Sequence, residues 1–309
     1  MTSENETFDG TWPFKPHFST APGFRMHYVD EGEGEPIVML HGEPTWGYIY
    51  RNFIPPLSKT HRVIVPDHMG FGKSETPQNR EYTLKTHVEN LTTLIEELDL
   101  QDITFVLQDW GGPIGGCYTH LHPERVKRLC LVNGAVPNAT TYTRQPNQPM
   151  IRAQSAPWFQ WIGDGLEAGR YHEVLGNLGS TILSVMKLLG FQNSAAVTNT
   201  WIRAYSAHFT SPEECKGAIE FPLDAYYGRA LPFYYECALA GKEETRKRPA
   251  MLVRGMKDYA ITRENMVGSF RDLWPKGPII ELENAGHFSQ EDLPEIIVPL
   301  IQQFIQMTE

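Results

Sequence analysis

The chain has 309 residues, 41% hydrophobic and 21% charged, with a net charge of −10. That is ordinary globular composition, long enough for one large core plus a sizeable insertion. The acidic balance argues against nucleic acid or an anionic membrane surface as partner, since both reward clustered Lys and Arg. The start, Met1 to Thr7, is polar and acidic and carries neither the basic nor the apolar region of a secretory signal. No uncharged apolar run reaches the ~18 residues that span a bilayer. Cys117, Cys130, Cys215 and Cys237 lie far apart, with no C-x-x-C pair. They predict buried thiols in a reducing cytoplasm rather than disulfides or a metal site.

Residues 1 to 22 show no period and read as an arm packed along the surface. Phe24 to Asp30 alternates apolar and polar, which predicts a half-exposed edge strand turning at Glu31 to Gly34. Pro36 to Leu40 and Arg62 to Val65 are short apolar runs, as expected of strands buried on both faces of a parallel sheet. Each leads into a loop rich in special residues, His41-Gly42-Glu43-Pro44-Thr45-Trp46 and Pro66-Asp67-His68-Met69-Gly70-Phe71-Gly72. Leu84, Val88, Leu91, Ile95 and Leu98 recur at helical spacing. Ile103 to Leu107 is the central predicted strand, residues 112 to 122 a helix, and Val126 to Val132 the next strand. From about Asn138 to Arg248 the strand pattern vanishes, and stretches such as Ile182 to Leu189 and Asn199 to His208 look helical. Strand–helix alternation then resumes with Ala250 to Val253, Arg263 to Leu273, Pro278 to Leu282 and a closing helix to Met307, in which Pro299 marks a kink or the true start. This grammar predicts an α/β fold with a mostly parallel sheet, core residues 1–137 and 249–309, and a mainly helical cap at 138–248 over the carboxyl edge of the sheet.

At Gln108-Asp109-Trp110-Gly111-Gly112 an apolar strand stops at an acid and a glycine cluster opens a helix. This is the strand, sharp turn and helix of a nucleophile elbow, with a carboxylate at the turn. A carboxylate that attacks carbon bearing a leaving group forms an ester. Two further residues fall at strand ends in the order that such hydrolases use: Asp258, after Ala250 to Val253, and His287, after Pro278 to Leu282. A histidine acts as base when a carboxylate fixes its tautomer, which gives Asp258 a role beside His287. A lone Asp after a strand is more often a turn or helix-capping residue, and Asp67, among its glycines, is assigned to turn architecture. The joint pattern of Asp109, Asp258 and His287 favours chemistry.

Three segments, His41 to Trp46, Gln108 to Gly112 and Gly255 to Asp258, together resemble the haloalkane dehalogenases of the α/β-hydrolase superfamily. The resemblance runs through roughly 20–135 and 248–305 and fades in the cap. It implies the α/β-hydrolase fold and hydrolysis of a halogenated alkane by water. Asp109 is then the nucleophile, His287 the general base and Asp258 the acid that orients it. Backbone N–H groups of Glu43 and Trp110 would form the oxyanion hole, and no metal or organic cofactor is implied. One dehalogenase subgroup carries its acid after the strand that follows the elbow helix. Val132 to Val136 holds none, which leaves Asp258.

The indole N–H of Trp110 suits a departing halide, because it donates and cannot accept. The second donor departs from the family pattern. Members with Asn at the position of Glu43 use that amide, and members with Glu use a cap tryptophan. Trp158 and Trp161 are the candidates here, although aromatics three apart also pack readily into a core, and near Ile182 to Leu189 the aligned residue is the non-donor Met186. An ionised Glu43 would repel a halide. An epoxide hydrolase on the same scaffold is the alternative, with Tyr205, Tyr226, Tyr227, Tyr234 and Tyr235 as possible acid donors. A cofactor-free oxygenase and a non-catalytic ligand receptor are more distant alternatives. Substrate identity and oligomeric state are not readable from the chain.

Overall fold

A computed structural model describes residues 3–139, 145–151 and 155–309. Parts of the inserted segment, 140–144 and 152–154, and the first two residues of the arm lie outside the described residues. Eight strands form one sheet: β1 (His17–Ser19), β2 (Met26–Glu31), β3 (Pro36–Leu40), β4 (Arg62–Pro66), β5 (Ile103–Asp109), β6 (Val126–Gly134), β7 (Ala250–Lys257) and β8 (Ile279–Gly286), in the order β1-β2-β4-β3-β5-β6-β7-β8. β2 runs antiparallel to β1 and β4, and all other neighbours are parallel. The apolar runs account for the centre: every residue of β3 and the first six of β5 are buried.

The helices are α1 (Ile54–Leu57), α2 (Leu84–Glu97), α3 (Gly111–Leu121), α4 (Pro157–Glu167), α5 (Tyr171–Leu175), α6 (Leu178–Leu189), α7 (Asn199–Ser206), α8 (Lys216–Tyr226), α9 (Leu231–Thr245), α10 (Arg263–Leu273), α11 (Ser289–Asp292) and α12 (Pro294–Met307). α2 buries Leu84, Val88, Leu91, Leu94 and Ile95, the stripe its periodicity predicts, and Thr83 caps it by accepting from the Thr86 N–H. α10 coincides with its predicted range. α12 starts at Pro294, where proline costs no hydrogen bond, and Pro299 lies inside it.

Two expectations change. The strand at Met26–Glu31 is not the sheet edge, because β1 pairs along its outer side and its first four residues are buried. The arm is anchored rather than merely apposed. Phe8 and Trp12 are fully buried and stack edge-on against Trp46, at 5.8 and 4.9 Å between ring centroids. Aromatic anchors at single positions have no period, which is why the pattern hid them.

Among the described residues, no strand lies between β6 and β7, and α4 to α9 occupy that segment. α9 packs on α3 so closely that a methyl group on Gly241 would lie 1.7 Å from the His120 carbonyl oxygen. The inserted segment therefore ends in a helix that covers the sheet, while residues of α4 and α8 stand over the carboxyl edge of the strands. The insertion is also clasped from below. A methyl group on Gly286, the last residue of β8, would lie 1.7 Å from the carbonyl oxygen of Gly190, just after α6. Asp292 accepts the N–H groups of Gln192 (3.0 Å) and Asn193 (2.8 Å) with one oxygen and that of Gly286 (2.7 Å) with the other. Glu291 takes Arg51, the Trp201 indole N–H (3.1 Å) and the Tyr205 hydroxyl, tying α7 to the same short helix. All four cysteines are free and buried. No helix among the described residues is long and apolar enough to cross a membrane.

Candidate active site

The carboxyl ends of β5, β7 and β8 bring three separated residues together. Asp109 ends β5 at φ 48°, a left-handed conformation that a non-glycine residue adopts at a cost of about 1–3 kcal/mol. The turn that holds it there is possible only because its neighbours lack side chains. A Cβ on Gly42 would meet Asp109 Oδ1 at 2.1 Å, one on Gly111 the Leu40 carbonyl oxygen at 2.3 Å, and one on Gly112 the Ala135 backbone at 2.7 Å. The pairing of β5 with β6 shifts register between Leu107 and Asp109, and that of β7 with β8 between Gly255 and Lys257. Such irregularities re-aim side chains where strands end.

His287, directly after β8, is fully buried. Its Nε2 lies 3.2 Å from Asp109 Oδ2 and its Nδ1 lies 3.0 Å from Asp258 Oδ2. Burial opposes a charge on this ring, but Asp258 and Asp109 outweigh it and push its pKa up to about 10. Asp258 is held from every side. Besides His287 it accepts from Asn133 Nδ2 at 2.8 Å and from the N–H groups of Ala260 (2.8 Å) and Ile261 (2.9 Å). Asn133 lies in the stretch after the elbow helix that holds no acid, and there it supports the acid on β7 instead. Its Oδ1 in turn accepts the Gly255 N–H at 2.9 Å. Sequence reasoning noticed the missing acid but not the amide that replaces it.

The Glu43 N–H donates to Asp109 Oδ1 at 2.9 Å, so the backbone donor assigned to the oxyanion hole already touches the carboxylate oxygen. The side chain of Glu43 behaves differently from the sequence expectation. It is buried, and burial first, then the charge of Asp109, hold its carboxyl well above the usual carboxylate range, with His287 acting the other way. A carboxyl held toward its neutral form repels a halide less than an ionised one. Gln108 belongs to the elbow motif, but the sequence assigned it no role of its own. Its amide nitrogen is 3.2 Å from His287 Nε2.

These groups face a cavity of about 120 Å³ lined by Glu43, Asp109, Trp110, Trp158, Phe159 and Tyr234, with small apolar residues between them. Trp110 stacks on Phe221 at 4.6 Å between centroids. Trp158 lies over the same cavity, and Trp161 stacks behind it at 5.0 Å without lining it. Trp201, a third tryptophan of the insertion, spends its N–H on Glu291, and Met186 is buried in α6 away from the cavity lining. Of the five tyrosines named as acid donors, Tyr234 alone lines the cavity, and Tyr205 donates to Glu291. Two indoles and one phenol therefore look onto Asp109. Beneath the oxyanion loop, His41, His68 and His87 stack in the core, and burial lowers the pKa of each. They are neutral packing groups, and no cluster able to hold a metal occurs among the described residues.

Comparison with known proteins agrees with this geometry. The alpha/beta hydrolase fold family matches residues 35–294. A cis-3-alkyl-4-alkyloxetan-2-one decarboxylase of Shewanella oneidensis is 30% identical over 97% of this chain and 91% of its own. A haloalkane dehalogenase of Psychrobacter cryohalolentis is 32% identical over 94% of this chain and 92% of its own. Among solved structures, the haloalkane dehalogenase DpaA of Paraglaciecola agarilytica superposes with a TM-score of 0.74 at 28% identity, covering 96% of this chain and 95% of that one. By the family match and by these similarities along nearly its whole length, this chain belongs to the alpha/beta hydrolase fold family, in the branch that holds the haloalkane dehalogenases.

Proposed function

We propose that this chain hydrolyses haloalkanes to alcohol, halide and a proton through an alkyl ester on Asp109. In the first step Asp109 attacks the halogen-bearing carbon and the halide leaves with the bonding electrons. Trp110 and Trp158 line the cavity in which that charge appears, each with an indole N–H to offer, and a charge-assisted hydrogen bond contributes about 1.5–3 kcal/mol. Trp161 is placed to brace Trp158 rather than to touch the halide.

The second step follows from what the ester does to His287. The protonated ring is supported by two carboxylates, one of which is Asp109. Esterification removes that charge and its hydrogen bond, so the imidazole gives up its proton when a base is needed. Neutral His287, oriented by Asp258, then draws a proton from water as the water adds to the ester carbonyl. The oxyanion formed there meets the N–H groups of Glu43 and Trp110, a device worth ~10²–10³ in rate per donor. Every step is carried by side chains, backbone N–H groups and water. In this reading α4 to α8 are a cap that keeps the displacement dry, and the four free cysteines fit a reducing cytoplasm.

The observation that carries the proposal is His287 bridging Asp109 and Asp258 at 3.2 and 3.0 Å. His287→Phe is expected to release one halide per active site and then stall, with the alkyl group retained on Asp109 by intact-mass and peptide analysis. Continued turnover in that variant would remove His287 from the hydrolytic step.

A second reading uses the same attack on a different leaving group. In an oxetan-2-one the ring carboxylate departs from carbon yet stays tethered. The Shewanella relative and the neutral Glu43 carboxyl favour it. Product analysis separates the two, since one releases halide and alcohol and the other carbon dioxide and alkene.

A further inference from the structure

We propose that the side chain of Glu43 is an acid donor to the departing group, giving this site an O–H hydrogen bond beside its indole N–H groups. The inference rests on Asp109 as the attacking residue.

The argument begins with how the site shares its protons. Three carboxyls, Glu43, Asp109 and Asp258, surround one imidazole. Asp258 accepts four hydrogen bonds, from His287, Asn133, Ala260 and Ile261. Asp109 accepts from the Glu43 N–H and faces His287 Nε2. The Glu43 carboxyl has no such support: it is 2% exposed and its buried Oε1 has no hydrogen-bond partner. Ionising it would bury a second negative charge beside Asp109 with Oε1 lacking a donor among the described residues, which is the costly arrangement. Of the three carboxyls, Glu43 is the one whose surroundings favour the protonated form. The titratable groups acting on it are Asp109 at the end of β5, His287 after β8 and Tyr171 of α5. Tyr171 donates to the Ile219 carbonyl oxygen at 2.8 Å and is not turned over to Glu43.

Glu43 also lines the cavity with Asp109, Trp110 and Trp158, so its neutral carboxyl borders the space in which the leaving group gains charge. As the carbon–halogen bond breaks and the ester bond forms, the Glu43 O–H bond stays intact, because a halide is a far weaker base than a carboxylate. The proton is held, not transferred. Two consequences follow. The donor disappears when Glu43 ionises, so ester formation slows as pH rises through its raised pKa. The loss weighs more on chloride, whose charge is compact, than on bromide.

The experiment measures the first halide release with enzyme in excess, by rapid quench, for 1-chlorobutane and 1-bromobutane between about pH 6 and 10. Intact-mass detection of the butyl adduct accompanies each measurement. The wild type is expected to lose rate at the alkaline end. Glu43→Gln, whose amide donates at every pH, is expected to stay within about tenfold of wild type at neutral pH and to show no alkaline fall. Glu43→Leu is expected to be slower by about 10–100-fold throughout, with chloride hit harder than bromide. All variants keep the backbone N–H that meets Asp109, and thermal melts check that they fold. An unchanged alkaline fall in Glu43→Gln assigns that limb to His287 and overturns the inference, as does a Glu43→Leu rate within twofold of wild type for both halides. Absence of any adduct overturns the ester reading and this inference with it, whereas an adduct formed at a rate indifferent to Glu43 overturns the inference alone.

Discussion

Two aspartates end adjacent regions of the same sheet and lead opposite lives. Asp67 follows β4 and Asp109 closes β5, and both press on glycines: a Cβ on Gly72 would meet Asp67 Oδ2 at 2.2 Å, as one on Gly42 would meet Asp109. Asp67 is sealed, with no side-chain exposure, and its oxygens face three donors, His27 Nδ1 (2.8 Å) and the N–H groups of Gly47 and Lys73 (2.8 Å each). Asp109 keeps 13% exposure, a positive φ and one oxygen shared only with His287. A carboxylate sealed from solvent and held by three donors is a structural staple. One left strained, half-supported and facing a cavity is available to attack carbon. The residue type is the same; the completeness of its hydrogen bonding decides the role.

That contrast is broken most directly at Asp109. Asp109→Asn keeps the side-chain volume and tolerates the positive φ, and it is expected to lower steady turnover by more than about 10⁴-fold with a melting temperature at or above that of the parent. Halide-release assays beside calorimetry check it, and residual turnover above that level places the nucleophile elsewhere. Next in size is Asp258→Asn, which leaves packing intact but removes the charge that sets the His287 tautomer. Ester hydrolysis is expected to fall by about 10⁴-fold, the size of effect seen for an orienting acid, while the first halide release survives. Loss of both steps together would assign Asp258 to the fold. The smallest effect on catalysis belongs to Asp67→Asn, expected to change turnover only severalfold but to cost about 3 kcal/mol or more in stability.

Asp67 also gives a pH test. Burial pushes its carboxyl up, yet His27 first, then His41 and the Lys73 N–H, bring it below the ordinary value. A depressed carboxyl contributes stability that is fully present above the unfolded value near 3.9 and lost as pH falls through the folded one. Acid denaturation of the wild type therefore carries a contribution that Asp67→Asn lacks, so the stability gap between them narrows as pH drops below about 4. A gap that stays constant would mean the network is held by packing rather than by charge.

Much of this was legible in the chain because the relevant forces are periodic or local. Continuous apolar runs marked β3, β4 and β5, and a three-and-four stripe marked α2. The elbow announced itself through glycines that only a close backbone approach requires. What stayed hidden depends on contacts between distant positions. Asn133 supports Asp258 from 125 residues away, and no local pattern distinguishes it from a turn amide. The choice between Trp158 and Trp161 turns on which face of one helix meets the cavity, and an insertion of unknown placement gives no such face. The upward shift of the Glu43 carboxyl is a property of its surroundings, burial and the charge of Asp109, which an acidic letter alone does not carry.

The clasp between Gly190 and Gly286 bears on how substrate arrives. Swinging the inserted segment on a hinge would pull the backbone around Gly190 off the strand end that leads to His287 and break the Asp292 bonds to Gln192 and Asn193 together. Such a lid would disturb the strand end that precedes His287 each time it opened. Phe159, Ala260 and Ile261 line both the inner cavity and an outer hollow of about 430 Å³. Under the proposed function, access to Asp109 is then a question of the side chains on that shared wall and not of a hinged lid.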